Sequence, residues 1–578
     1  MNSGADILLS VNKLSVEFQS GAFTTKAVKD ISFSVRKGEI LGIVGESGSG
    51  KSVTALSINQ LIKSIANARQ TGEVIFHIAS DINLSKADNR TLQNIRGSSI
   101  SMIFQEPMTS LNPVFRCGDQ ISEILEIHQS LNKKERKEQV LDLLRKVQIE
   151  EVERIYNAYP NEISGGQKQR VMIAMAMACN PLLLIADEPT TALDVTIQRS
   201  IIDLMRDLQK ESGMSIIFIS HDLNLVSEIA DRVIVMKDGQ IVEEGSVDQI
   251  FQNPQEAYTM GLLASRPPMD VQLNRLPVMK DFEREGKMSQ PQYQAILAEL
   301  KEGNSAASEQ EKPILLEVED LKVWFPIRKN WLERKQSFVK AVNGVNFVLK
   351  KGEILGLVGE SGSGKTTLGR SLVRLVEPSS GKVLFNGDDI LRLQRKELKK
   401  LRKQIQIIFQ DPYSSLNPRM SIGNAIMEPL WVHAYIRNKE EGEKEVRRLL
   451  ALVGLDQEHY NRFPNEFSGG QRQRIGIARA LAAQPDLLIC DESVASLDVS
   501  IQAQILNLLK ELKESQGLSI LFISHDLSVI KFLSERILVM KNGELVEQGL
   551  SDDIYLFPKD PYTKKLIQAI PKGKKRNF

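Results

Sequence analysis

The stretch Gly38-Glu-Ile-Leu-Gly-Ile-Val-Gly-Glu-Ser-Gly-Ser-Gly-Lys51-Ser52 decides the fold. Ile40 to Val44 is a short apolar run of the kind that forms a buried strand. Gly45, four intervening residues and then Gly50-Lys51-Ser52 follow it. That spacing is the phosphate-binding loop between a strand and a helix. Glycines let the backbone wrap tightly, so its N–H groups point at phosphate oxygens, and the next helix adds its positive end. Lys51 is placed to reach terminal phosphates, and the Ser52 hydroxyl to ligate Mg²⁺. The stretch is written a second time, Gly352-Glu-Ile-Leu-Gly-Leu-Val-Gly-Glu-Ser-Gly-Ser-Gly-Lys365-Thr366. The candidate nucleotide contacts are therefore Gly45, Ser47, Gly48, Gly50, Lys51 and Ser52, and again Gly359, Ser361, Gly362, Gly364, Lys365, Thr366 and Thr367.

Working outward, the duplication continues. Ser164-Gly-Gly-Gln167 returns as Ser468-Gly-Gly-Gln471, Asp187-Glu188 as Asp491-Glu492, His221 as His525 and Tyr258 as Tyr562, each 304 positions later. Between Lys51 and Gln105 the first copy is nine residues longer than its counterpart. A repeat of about 300 residues is a duplicated domain rather than a solenoid. The expected organisation is one domain over residues 1–269, a linker over 270–312 and a second domain over 313–578. The linker is polar and charged, holding Asp281-Phe-Glu-Arg-Glu-Gly-Lys and Gly303-Asn-Ser-Ala-Ala-Ser, with a short helix expected over Gln292 to Lys301. Extended, it spans tens of ångströms, enough for the two units to face each other. Each unit reads as α/β, with short Val/Ile/Leu runs for strands. Charged helical stretches, Lys133 to Lys146 and Lys439 to Leu452, form a helical subdomain inserted into each nucleotide-binding core.

Composition narrows the function classes. Lys+Arg is 74 and Asp+Glu 73, a formal charge of +1, which argues against a nucleic-acid binder. The basic stretches Arg392 to Lys403 and Lys572 to Arg576 read as a solvated helix face and a frayed end. Three cysteines, Cys117, Cys179 and Cys490, exclude a disulfide scaffold and a four-cysteine metal site within the chain. No iron–sulfur cluster is expected. Met1 to Phe18 lacks the order of a signal peptide, and Asn180-Pro181 interrupts the best apolar stretch, Val171 to Ala186, so any membrane spans are expected from other subunits.

Further residues complete the chemistry. Leu182-Leu-Leu-Ile-Ala-Asp187-Glu188 and Leu487-Leu-Ile-Cys-Asp491-Glu492 are apolar strands ending in two carboxylates. Asp187 and Asp491 are placed to hold Mg²⁺, and Glu188 and Glu492 to polarise the attacking water. Gln105 and Gln410, each after an apolar strand, offer a neutral amide to Mg²⁺ or to that water. His221 and His525 end further strands and are placed to hydrogen-bond a terminal phosphate. Ser164, Gly165, Gly166 and Gln167, with Ser468, Gly469, Gly470 and Gln471, open helices and form a second anion site. Head-to-tail pairing of the halves, within one chain, would sandwich each nucleotide between one phosphate loop and the opposite Ser-Gly-Gly-Gln.

Together these motifs resemble the ATP-binding cassette family over nearly all of both halves. The resemblance implies two tandem P-loop ATPase domains that use ATP and Mg²⁺. It identifies Gln105 and Gln410 with the Q-loop, Thr191-Ala-Leu-Asp194 and Ala495-Ser-Leu-Asp498 with the D-loop, and His221 and His525 with the switch histidine. It implies that Phe18 and Phe325 stack on adenine. Glu492-Ser-Val departs from the usual Glu-Pro-Thr, kept at Glu188-Pro-Thr190, and Ile163 and Phe467 replace the usual leucine before Ser-Gly-Gly-Gln. Neither departure removes a reacting group, so two hydrolytic sites are expected. A narrower resemblance lies in Asn253-Pro-Gln-Glu-Ala-Tyr258-Thr259, Phe557-Pro-Lys-Asp-Pro-Tyr562-Thr563, Gln105 to Pro113 and Gln410 to Pro418. These resemble the ATPases of oligopeptide, dipeptide, glutathione and nickel importers, most closely their fused double-ATPase subunits. The implied setting is the cytoplasmic face of the inner or plasma membrane, with two integral-membrane permease subunits and a substrate-binding protein as partners. Two other readings stay open: a soluble twin-cassette factor on ribosomes, and the ATPase of a drug, sugar or nickel transporter.

Overall fold

Strand Ile40–Val44 is buried at all five positions. A strand covered on both faces can be apolar throughout, and that is the situation of a parallel sheet between layers. In the computed structural model this strand lies between Ser215–Ser220 and Arg232–Lys237, parallel to both. Leu183–Asp187 and Ile100–Ile103 extend the sheet in parallel, and Gln240–Ser246 closes the other edge antiparallel. The second half repeats the arrangement, with Ile354–Val358 between Ser519–Ser524 and Arg536–Lys541. The structure describes residues 7–21, 23–105, 110–190, 193–268, 273–282, 288, 290–300, 312–326, 338–495 and 497–571. Met1 to Asp6, Glu106 to Thr109, Thr191, Ala192, Ser496 and the basic tail Lys572 to Arg576 lie outside them, as do Glu283 to Lys287 and Gly303 to Ser308 of the linker.

Among the described residues each half carries this six-stranded sheet and a four-stranded antiparallel one. In the first half the latter runs Phe23–Arg36, Ile7–Ser20, Ala68–His77, Asp81–Asn83. The two sheets enclose helix Lys51–Ile58 and a core that includes Leu9, Val11, Leu41, Ile43, Ala55, Ile58 and Phe76. The opposite face of the parallel sheet carries helices Gly165–Met177 and Leu223–Ile229, and the inserted subdomain's Cys117–His128 and Lys133–Lys146 pack on Gly165–Met177, with Val152–Asn157 against them, in one continuous core. Lys133–Lys146 and its counterpart Lys439–Leu452 are helices over the spans their sequence pattern gave. The first starts at Asn132, whose side chain accepts from Lys134 and Glu135 N–H in a capping box with Glu135.

The stretch expected to be an extended polar connector is partly packed. Leu273 and Leu276 join the core of the second half. Phe282, Met288, Tyr293 and Leu297 pack with Ala257, Met260 and Ala264 of the first-half helix Ala257–Ala264. Gln290–Glu299 is helical, two residues earlier than the pattern gave. A few apolar residues in a charged stretch thus attach one half to the other. Their partners lie far away in sequence, so local periodicity gives no sign of the docking.

Candidate functional site

The phosphate loop forms because its glycines take conformations other residues resist. Gly50 has φ 98° and Gly364 φ 106°. A Cβ at either would meet the carbonyl oxygen of Ala27 or Ala341, at 2.6 and 2.0 Å. The loop delivers Lys51 and Lys365 into buried positions. Their ammonium groups donate to the carbonyls of Gly45 and Glu46 (2.8 and 2.9 Å) and of Gly359 and Glu360 (2.7 and 2.9 Å). Burial lowers both lysine pKa values against the pull of the surrounding carboxylates, led by Glu188 and Glu492.

Strands Leu183–Asp187 and Leu487–Asp491 end beside this loop. Ser52 Oγ donates to Asp187 Oδ1 at 3.1 Å, and Thr366 Oγ1 to Asp491 Oδ1 at 2.9 Å. Burial pushes Asp187 up to about 6, with the Ser52 hydrogen bond opposing it, and raises Asp491 likewise. Asp491 Oδ2 is buried without a hydrogen-bond partner. A desolvated carboxylate oxygen with no donor fits a cation, and a hydroxyl beside a carboxylate is an oxygen donor set of the hard kind that Mg²⁺ takes.

The next residues, Glu188 and Glu492, have φ of 48° and 46°. Left-handed backbone is uncommon for a residue with a Cβ and persists where neighbours enforce it. Here each glutamate N–H donates at 3.0 Å to the carbonyl of Ile219 or Ile523 on the adjacent strand. The carboxylates meet the glutamine and histidine of the same half. Gln105 Nε2 donates to Glu188 Oε2 at 3.0 Å, and His221 Nδ1 lies 3.3 Å from Glu188 Oε1. Gln410 Nε2 donates to Glu492 Oε2 at 2.7 Å, with His525 Nδ1 at 3.6 Å. Burial works against the imidazolium of His221 and His525, but the facing glutamate outweighs it and raises both pKa values. Burial alone would lift Glu492; His525 and Lys365 hold it below its ordinary value instead.

Ser164 and Ser468 cap the helices Gly165–Met177 and Gly469–Leu481, each in a capping box with its glutamine. The two glycines differ in role. A Cβ at Gly470 would meet Ile501 at 2.2 Å, and one at Gly166 would meet Ile197 at 3.1 Å, so the second glycine lets the helix approach Val499–Gln516 or Val195–Ser212. The first glycine is exposed at Gly165 and half-buried at Gly469. Phe18 packs at the edge of the first-half core, and Phe325 is 42% exposed.

Each phosphate loop is also touched by the other half. Asp498 Oδ1 accepts from Ser47 N–H and Oγ at 2.9 and 2.8 Å. Asp194 Oδ1 accepts from Ser361 N–H and Oγ at 2.7 and 2.8 Å. Thr196 donates to Glu360 (2.6 Å), and Ser500 to Glu46. Resemblance placed both aspartates in the D-loop without giving them a partner. Tyr258 and Tyr562, noted in the sequence only as tail residues, reach the same loops. Their hydroxyls accept from Glu46 N–H (3.2 Å) and Glu360 N–H (3.0 Å). No local pattern signals a contact spanning 212 or 202 residues.

Chemistry of this kind, built twice in one chain with each loop touched by the opposite copy, belongs to the P-loop ATPases. The ABC transporter family model matches residues 28–191 and 342–495. The model for the oligopeptide/dipeptide transporter C-terminal region matches 242–287 and 546–577, which hold Tyr258 and Tyr562. The chain is 47% identical over 566 residues to the glutathione import ATP-binding protein GsiA of Pectobacterium atrosepticum, covering 98% of this chain and 89% of that one. Identity to GsiA of Escherichia coli K12 is 47% over 571 residues, with the same coverage. Identity to the peptidoglycan transport ATP-binding protein YejF of Agrobacterium fabrum is 46% over 562 residues, covering 97% and 96%. The chain belongs to the ABC transporter family and is an ATPase of its import type, in a family whose members bind ATP and Mg²⁺. Among the described residues no helix is long and apolar enough to cross a membrane.

Proposed function

We propose that the chain powers uptake of short peptides, glutathione-like molecules included, by hydrolysing ATP at two composite sites between its halves. It does so at the cytoplasmic face of the membrane, with two permease subunits and a substrate-binding protein. The observation that carries the reading is the reciprocal contact of Asp498 with Ser47 and of Asp194 with Ser361. It supports head-to-tail pairing within one chain, because the D-loop of each half lies against the other's phosphate loop. The match to the peptide-transporter C-terminal region supports an importer over a ribosomal factor. The relatives' named cargoes, glutathione and peptidoglycan, support the peptide class.

In this mechanism the loop N–H groups and Lys51 or Lys365 hold the phosphates of ATP. Ser52 with Asp187, and Thr366 with Asp491, would hold Mg²⁺, with the amide oxygens of Gln105 and Gln410 as further ligands. The bound ion would offset charge developing on the phosphate oxygens. Glu188 and Glu492 take the proton of the attacking water, oriented by the glutamine and histidine, which meet both oxygens of Glu188 and Oε2 of Glu492. The raised pKa of His221 and His525 favours an imidazolium, which can donate a hydrogen bond to an oxygen of the terminal phosphate. Ser164 to Gln167 and Ser468 to Gln471 close each site from the opposite half, and Phe18 and Phe325 flank adenine. The segments Gln105 to Pro113 and Gln410 to Pro418 face the permeases.

Glu188→Gln/Glu492→Gln keeps shape while removing the base. It is expected to bind ATP normally and to lose hydrolysis by about 100-fold or more. Unchanged turnover would refute the site. Affinity purification distinguishes the settings: two membrane subunits support the importer, and ribosomal particles refute it.

A further inference from the structure

Helix Ala257–Ala264 is followed by Ser265-Arg266-Pro267-Pro268. The Arg266 side chain is 12% exposed and is paired through Nη1 with Asp222 Oδ1. Asp222 directly follows His221, and the same Oδ1 caps helix Leu223–Ile229 by accepting from Asn224 N–H at 2.9 Å. Asp526 does the same in the second half: it follows His525 and caps Leu527–Leu533 through Ser528 N–H at 2.8 Å. His221, Asp222 and Arg266 line one cavity with His525, Asp526 and Pro571, about 80 Å³ in volume. The two histidine loops therefore meet across the interface, where Arg266, paired with Asp222, shares the cavity with Asp526 of the other half. The repeat does not supply a second one, because Ile570 stands 304 positions after Arg266.

We propose that Arg266 is a positioning residue shared by both ATP sites, bridging the histidine loops of the two halves through Asp222 and Asp526. Burial disfavours its charge, yet Asp222 and Asp526 more than compensate and raise its pKa. A buried cation facing two carboxylates is costly to remove, because it leaves Asp222 without its partner and Asp526 without the positive charge that faces it in the same small cavity. The ion pair also has a geometric consequence. Each aspartate begins the helix after its switch histidine, so the bridge fixes the spacing of the two histidine loops. A displacement of His221 on Glu188 is then felt at His525 on Glu492 through one side chain. Coupling of this kind amounts to a 5–150-fold effect in typical cases.

The proposal rests on the assignment of Glu188 and Glu492, and its test separates the two. The parent ATPase is compared with Glu492→Gln, which leaves the Glu188 site, and with Glu188→Gln, which leaves the Glu492 site. Arg266→Gln and Arg266→Lys are added to each. The expected result is a fall of at least about 5-fold with Arg266→Gln in both backgrounds and partial rescue by Arg266→Lys. A fall confined to the Glu492→Gln background would make Arg266 a local support of Asp222, and no fall in either would give it no role; both overturn the proposal. Where single-site turnover is too low or Arg266→Gln does not fold, Asp526→Asn, which keeps the cap, is combined with Arg266→Lys in the otherwise unaltered chain. Non-additive losses of turnover support the bridge, and additive losses overturn it. Full activity in Glu188→Gln/Glu492→Gln would instead refute the site assignment.

Discussion

The two halves agree closely where chemistry is concentrated and differ where they are attached. The glutamine-to-glutamate bond is 3.0 Å in the first and 2.7 Å in the second. The cross-half aspartate meets the serine N–H at 2.9 and 2.7 Å. Replacing Pro189-Thr190 by Ser493-Val494 disturbs none of this, since both glutamates keep the same backbone conformation. The connector packs on both halves, but its polar anchor is one-sided. The Asn507 side chain holds Leu276 by both backbone groups, its Oδ1 accepting from the N–H and its Nδ2 donating to the carbonyl, each at 2.8 Å. Its counterpart, Asp203, has a half-exposed side chain paired with Arg199 on the same helix. Arg266 against Ile570 is a second such difference. Duplication thus preserved the reacting groups twice, while the polar hold of Asn507 on the connector has no counterpart at Asp203.

The largest test of the agreement is chemical. Glu188→Gln and Glu492→Gln, made singly, are each expected to cut hydrolysis at their own site by about 100-fold or more. Near-equal residual rates would match the shared geometry. A tenfold inequality between the two variants, measured by steady-state phosphate release, would show that a difference outside the site controls the chemistry.

The attachment is broken by Asn507→Ala. It strands the buried N–H of Leu276 and leaves its carbonyl only a long contact from Arg275 Nη1 at 3.5 Å, and an unsatisfied buried group costs about 1–3 kcal/mol. A loss of at least about 2 kcal/mol is expected in denaturant unfolding. Asp203→Ala is expected to change stability by less than about 0.5 kcal/mol, because exposed pairs contribute little. Similar losses from both would remove the asymmetry.

What the sequence made legible follows the same divide. The phosphate loops, the strand-end carboxylates and the Ser-Gly-Gly-Gln caps rest on local backbone demands, so glycines and apolar runs announce them. The left-handed conformation of Glu188 has no such sign, because strand pairing imposes it rather than residue type. Tyr258, Arg266 and Leu276 act on groups remote in sequence, and only tertiary packing brings them together. Phe18 and Phe325 show a further limit: both sit near the end of a strand, Ile7–Ser20 and Ile314–Pro326, yet one packs on the core and the other is exposed. Aromatics at strand ends look alike in sequence whichever they do.

A smaller comparison concerns the tail tyrosines. Tyr258→Phe and Tyr562→Phe each remove one acceptor from a phosphate-loop N–H, at 3.2 and 3.0 Å. Burial keeps both hydroxyls protonated, Tyr562 being pushed up to about 12, so the loss is that of a neutral hydrogen bond. About 1 kcal/mol is expected for each, read as a fewfold weaker ATP affinity at the corresponding site. An effect in one half only would extend the asymmetry into the site itself.

The smallest effect is expected from pH. Burial lowers the pKa of His525 and the facing Glu492 raises it, with a net upward direction. His221 behaves in the same way against Glu188. A histidine raised above its unfolded value of about 6.5 adds stability that is fully present below that pH. The stability is lost as pH rises through the folded pKa. The gap in stability between the parent and His525→Gln should therefore be widest in mildly acidic buffer and narrow towards alkaline pH. Because burial and ion pairing oppose each other, the change stays smaller than those above. His221→Gln is expected to follow the same curve, since its imidazole faces the equivalent carboxylate, Glu188, at 3.3 rather than 3.6 Å. A gap that widens with pH in either variant would reverse the sign of the histidine–glutamate contact, and with it the imidazolium assigned to the resting site.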